Sequence, residues 1–242
     1  MALPDILVIC PYDATLKPLQ RVKRHLIRKL QDKVEIYDIK PNDFSHKLCI
    51  EKIKAFSDTG FIIFLGHGRS DILYGSRGKK CDYYVDEGIR VENPDDYYEQ
   101  DSFINETNYP IFKDKKVLSL SCSSNELGKK VVACGAKVFL GFGPLPTSKE
   151  EFLDQDVIAS DHLVAAFKGE ISSIIKESIV YAVNNGYTFG RLRSLIAFMA
   201  SKKMRSHRFR EGEKYRDELI FLLAKMRTEM CVWGDEGLAL ID

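Results

Sequence analysis

Two residues of this chain stand where their side chains could do chemistry. His67 ends the apolar run Phe61-Ile-Ile-Phe-Leu-Gly-His67-Gly68, and Cys122 ends Val117-Leu-Ser-Leu-Ser-Cys122. Glycines on both sides of His67 open backbone conformations closed to other residues and leave the imidazole uncovered. Cys122 is followed by Ser123-Ser124-Asn125 and the start of a helical pattern, so its thiol faces the positive end of a helix dipole, which favours thiolate. A thiolate beside an imidazole is the pairing of nucleophilic acyl transfer. The sulfur attacks a carbonyl, the imidazole carries protons, and backbone N–H groups hold the oxyanion. Each residue also has a plainer reading, His67 as a turn histidine bonded to a carbonyl and Cys122 as a packed strand-end thiol.

The elements that must bring them together are short buried strands. Phe61–Leu65 and Val117–Ser121 carry no charge, as strands covered on both faces do. Ligands of open α/β sheets bind in the crevice beyond the carboxyl ends of such strands. If the two are neighbours, about 4.8 Å apart, both side chains leave the sheet at the same crevice. Further strands are expected at Ile6–Cys10, Val34–Ile39 and Lys137–Phe142. Apolar stripes predict helices over Leu16–Leu30, from Ser45 toward Phe56, and over Asn125–Cys134. Strands alternating with helices predict an α/β fold, a doubly wound and mostly parallel sheet flanked by helices. From Lys149 the pattern turns helical, with helices expected over Val157–Phe167, Ile171–Val183, Phe189–Met204 and Glu213–Met230. No linker or repeat divides the chain, so a single domain over 1–242 is expected, with 149–242 mainly helical.

Composition narrows the function classes. The chain has 242 residues, 45% hydrophobic and 29% charged, with a net charge of +1, which gives no electrostatic reason to expect nucleic acid or an anionic membrane as partner. No run is long and apolar enough to span a bilayer, and the first ten residues lack the pattern of a secretion signal. A cytoplasmic protein is expected. The six cysteines form no C-x-x-C pair and no zinc-like cluster with histidine, so reduced thiols, no metal and no cofactor are expected. His162 and His207, in charged helical surroundings, read as surface residues.

Charge is unevenly spread. Residues 81–110 hold nine acidic side chains against one basic, whereas Arg191–Met230 hold eleven basic against five acidic. The bland reading is two solvated faces of opposite sign. The sharper one makes the aromatic-rich acidic segment a lid, a cleavage site or a specificity loop, selecting a basic residue before the scissile bond. Asp71 is a candidate to line the substrate cleft or to begin a hairpin. Gly143, Pro144 and Thr147, just past the strand after Cys122, are candidates for a rigid edge against which an extended peptide lies.

The run Phe-Leu-Gly-His67-Gly68 followed by Leu-Ser-Leu-Ser-Cys122 resembles the His-Gly and Cys motifs of caspase-fold cysteine peptidases, and the CHAT group of prokaryotic type above all. Leu127-Gly128 and Cys134-Gly135-Ala136 before the next strand are similar to the helix-then-strand passage downstream of the CHAT cysteine. The resemblance covers roughly residues 1–200. The 55 residues between His67 and Cys122 agree with the spacing of about 50 in caspases. It implies a caspase-like fold, a Cys-His endopeptidase with Cys122 as nucleophile and His67 as acid/base, and an oxyanion hole from the amides of Gly68 and Cys122. It also implies a protein or peptide substrate and a role in defence or cell death, while the length of the chain and the character of the 81–110 segment lead to the expectation of an activating or inhibitory protein partner. Ser123-Ser124 replace the Glu-Thr of many CHAT proteins, and the caspase pentapeptide Gln-Ala-Cys-Arg-Gly is absent, so cleavage after aspartate is not implied. The alternatives are an inactive interaction module of the same fold and a flavodoxin-like ligand-binding domain. No third catalytic residue is evident from the sequence.

Overall fold

In the computed structural model, residues 4–79, 97–99, 102–146, 152, 160–210 and 212–241 are described. Cys81, Thr147 and most of the acidic stretch between 81 and 101 lie outside them, and with them the expectations of a lid there and of a peptide edge at Thr147.

The main sheet is built from β1 (Ile6–Pro11), β2 (Val34–Ile39), β3 (Phe61–Leu65), β6 (Lys116–Leu120), β7 (Val138–Gly141) and β8 (Cys231–Gly234). These six strands lie in the order β2-β1-β3-β6-β7-β8. All neighbours pair in parallel except β8, which runs antiparallel to β7. A small antiparallel pair, β4 (Arg77–Lys79) with β5 (Tyr97–Glu99), stands apart. The fold is the expected α/β, doubly wound sheet flanked by helices.

Alternation along the strands assigns the two faces. Ile6, Val8, Phe61, Ile63, Leu65, Leu118 and Leu120 point to one side. There they meet α1 (Leu19–Leu30), α4 (Asp161–Asn184), α5 (Phe189–Arg208) and α6 (Arg216–Glu229). Leu7, Ile9, Ile62, Phe64 and Val117 point to the other side, against α2 (Asp43–Ala55) and α3 (Ser124–Ala133). Helix α1 buries Val22, Leu26 and Leu30, four residues apart on a single stripe, and leaves its arginines and lysines outward.

Several elements depart from expectation for local reasons. Helix α2 starts earlier, because Asn42 rather than Ser45 is its cap, its side chain accepting the Ser45 N–H at 2.8 Å. The two helices expected over 157–183 are one. Ser160 caps it, and Gly169, whose site is open, is tolerated within it. Strand β8 follows α6 where no strand was expected; Trp233 donates to Asn125 O at 2.7 Å and anchors it. Phe103 and Tyr109, expected in a lid or specificity loop, are buried with Leu73, Ile104 and Phe112 in the second core. His207 is also buried rather than superficial, its Nδ1 2.7 Å from Glu213 Oε2 and its Nε2 3.3 Å from Glu170 Oε1.

Candidate active site

The ladder between β3 and β6 brings His67 and Cys122 to matching places. It pairs Phe61 with Lys116 through Leu65 with Leu120, a constant offset of 55 residues, which is the offset between His67 and Cys122. The Gly66 N–H reaches Leu120 O at 3.4 Å, carrying the register past the last paired residues. Both positions continue the alternation of Leu65 and Leu120, toward the face covered by α1 and α4. Both line one cleft that opens to solvent.

The chain around Cys122 is held by serines. Ser124 Oγ donates to Ser119 O and Ser121 O, both at 2.9 Å, and accepts the Phe142 N–H at 3.0 Å. One hydroxyl thus joins the end of β6, the first turn of α3 and the exit of β7. Gly141 makes this approach feasible, because a Cβ there would overlap the Ser124 carbonyl. Ser123 turns with φ 53°, in the left-handed region, so that α3 begins directly after the thiol. The amides of Ser123 and Asn125 are spent on Gly143 O and Phe142 O. The Leu145 N–H points at Cys122 Sγ, 3.4 Å away, and favours a negative sulfur.

His67 is oriented from β1. Past the end of that strand, Asp13 caps a turn of 3₁₀ helix, Ala14–Leu16, accepting the Thr15 N–H and the Thr15 hydroxyl on Oδ1, both at 2.7 Å. Since that hydroxyl donates to Asp13, it accepts from His67 Nε2, 2.7 Å away. Asp13 Oδ2 stands 3.5 Å from the same nitrogen and is also bonded by Arg77 Nε. This places the proton on Nε2 and leaves Nδ1 as the basic nitrogen. Burial raises the pKa of Asp13, but hydrogen bonds from Thr15 and the charges of His67 and Arg77 outweigh it and hold the carboxyl below its ordinary value.

Gly68 closes the site on the far side of the histidine. It forms a bridge with Leu73, in a hairpin where the Arg69 N–H meets Ile72 O at 2.8 Å and the Tyr74 N–H meets His67 O at 3.0 Å. Any Cβ on Gly68 would lie 2.8 Å from Ser121 Oγ and 3.0 Å from Ile72 O, so only glycine fits between the two strand ends.

The other candidates are not brought to the cleft. Asp71 sits exposed in that hairpin turn, its carbonyl accepting from Tyr109 OH at 2.5 Å. It lines a separate groove with Asn105 and Lys130. Gly143 packs on Glu229, and the cleft is lined by Leu145 rather than by Gly143 or Pro144. Sequence reasoning missed Asp13, Thr15 and Leu145. The signal for the first two was the same one that found His67: they come just past the carboxyl end of an apolar strand.

No family model matches the chain, and none of the curated proteins does. Among solved structures, a "putative phosphofructokinase" from Staphylococcus aureus aligns over 96% of this chain and 99% of that chain, at 7% identity and a TM-score of 0.33, too slight a likeness to carry an argument. Among the described residues no helix is long and apolar enough to cross a membrane, and no group of His, Cys, Asp or Glu is arranged to hold a metal ion.

Proposed function

We propose that the chain is a cysteine hydrolase acting on peptide bonds, with Cys122 as nucleophile and His67 as proton carrier. The observation that carries this is the shared register: one parallel ladder delivers imidazole and thiol, at the same offset, into one cleft. The resemblance to caspase-fold peptidases supports the same reading from the sequence side.

In this reading the Cys122 thiol gives its proton to His67 Nδ1. The Leu145 N–H and the N-terminus of α3 favour the resulting thiolate. The sulfur adds to the carbonyl carbon, and the amides of Gly68 and Cys122 are the donors expected to hold the oxyanion. The C–N bond then breaks, and the proton on Nδ1 passes to the departing amine. Water, deprotonated by the same nitrogen, hydrolyses the thioester and frees Cys122. Throughout, Thr15 and Asp13 hold the Nε2 proton and stabilise the imidazolium while it exists.

The test is cleavage of a proteome-derived peptide library by the purified chain, read by mass spectrometry. New amine termini that vanish in Cys122→Ala and in His67→Ala support the hydrolase. Cleavage that persists in folded Cys122→Ala overturns it.

A further inference from the structure

The cleft beside the thiol has a chemical character of its own. Leu120 lies two residues before Cys122 on the same face of β6, so its side chain forms the floor under the nucleophile. The walls come from four other elements of chain: Leu16 in the 3₁₀ turn, Leu19 at the start of α1, Leu145 after β7 and Ile171 in α4. All five are aliphatic, and Leu120, Leu145, Leu16 and Ile171 are at most 5% exposed. No carboxylate lines the cleft among the described residues. Asp13, whose carboxylate reaches the histidine, is turned to Thr15, His67 and Arg77. The one lysine or arginine among the described lining residues is Lys168, whose ammonium lies 3.5 Å from Thr15 O.

We infer that this cleft is the specificity pocket of the enzyme, and that it takes an aliphatic side chain, of leucine or methionine size, from the residue whose carbonyl Cys122 attacks. The inference rests on the hydrolase reading. A side chain on the acyl side of the scissile bond must leave the substrate within reach of the thiol, and the space there is walled by hydrocarbon. An arginine or lysine would meet no carboxylate among the described lining residues. An aspartate would surrender its hydration to five aliphatic side chains for the sake of one half-buried lysine. An aliphatic side chain loses only apolar contact with water, which favours binding. On this inference selection beside the thiol is for aliphatic residues, whereas the expectation of basic ones was drawn from the acidic segment, most of which lies outside the described residues.

Peptidyl acyloxymethyl ketones that differ only in the residue next to the ketone test this on the full chain. Probes carrying Leu, Met, Ala, Asp or Arg are compared by the rate of adduct formation at Cys122, read by mass spectrometry. Leu and Met probes are expected to react at least ~10-fold faster than Asp or Arg. In Leu19→Trp, at a half-buried wall position, the Ala probe should overtake the Leu probe. Ranking is read within each variant, so a change in thiol reactivity common to all probes cancels. An Asp or Arg probe that reacts fastest, or equal rates for all five, overturns the aliphatic pocket while His67-dependent labelling keeps the hydrolase standing. If no probe prefers Cys122 over the exposed Cys134, the hydrolase reading falls and the pocket with it.

Discussion

Cys10 and Cys122 are both strand-end thiols on the same edge of one sheet, and they are opposites. Cys10 is still inside its ladder, opposite Asp38, and is buried. Burial, helped by the charge of Asp38, pushes its pKa up to about 12. Cys49, buried under α2's side of the sheet, is pushed up likewise by burial. Cys122 has left its ladder by two residues, is half-buried, meets a backbone N–H and stands at the start of a helix. The lesson is that a strand end alone does not make a reactive thiol. The chain must have left the ladder, and donors must be waiting where it arrives.

The strongest way to break that comparison is alkylation. With a pKa of about 12, Cys10 is thiolate only about once in 10⁵ at pH 7. Iodoacetamide on the folded chain should modify Cys122 more than ~10³-fold faster than Cys10, followed by peptide mass mapping. Comparable rates would mean that the two thiols share one environment after all.

Next in size are the substitutions. Cys122→Ala and His67→Ala should each lower kcat/KM about 10³-fold or more. Cys10→Ala should leave kcat/KM near that of the parent and instead cost about 1 kcal/mol of stability, read by urea unfolding.

The hydroxyl between histidine and aspartate sharpens the comparison further, since Cys10 has no such support. Thr15→Val should lower kcat about 10-fold with little change in KM, and Thr15→Ser should restore it. A merely structural threonine would give no such split and no rescue by serine. Asp13→Asn should act in the same direction and also alter acid stability. The folded-state pKa of Asp13 lies below the unfolded value, so its stabilising contribution is full above roughly pH 4 and fades as pH falls through the folded value. Melting curves of Asp13→Asn and the parent should therefore differ at neutral pH and converge in acid.

The last effect is steric. Gly68→Ala, pressed on Ser121 and Ile72, should cost about 1–3 kcal/mol in thermal unfolding and should also reduce kcat, because the same overlap pushes the two strand ends apart.

Much of the frame was legible in the sequence because it rests on local pattern. Uncharged apolar runs marked β3 and β6, and a 3.6-residue stripe marked α1 and α3. What escaped depended on which distant pieces of chain become neighbours. That β1 lies beside β3 is not written in either strand, so the turn at Asp13 and Thr15 gave no hint that it would meet His67. Gly143 and Pro144 were read as the working parts of their loop, yet Leu145 just after them supplies both the N–H at the sulfur and a wall of the cleft. Of the two readings of Asp71, cleft or hairpin, the hairpin is the one found. His207 is enclosed by glutamates from α4 and from the turn after α5, a pairing that only the packing of the helices creates.

The serine knot at Ser124 has a consequence for how such a protein could change over time. One hydroxyl ties β6, α3 and the exit of β7 together, and the stretches that vary the cleft attach outside that tie. The hairpin after Gly68 and the turn after β1 make no hydrogen bond to Ser124 Oγ, so their side chains can be exchanged without loosening that tie. The Cys122 sulfur is thus insulated from the drift of its surroundings, and on the hydrolase reading the walls of the cleft change while that atom keeps its place.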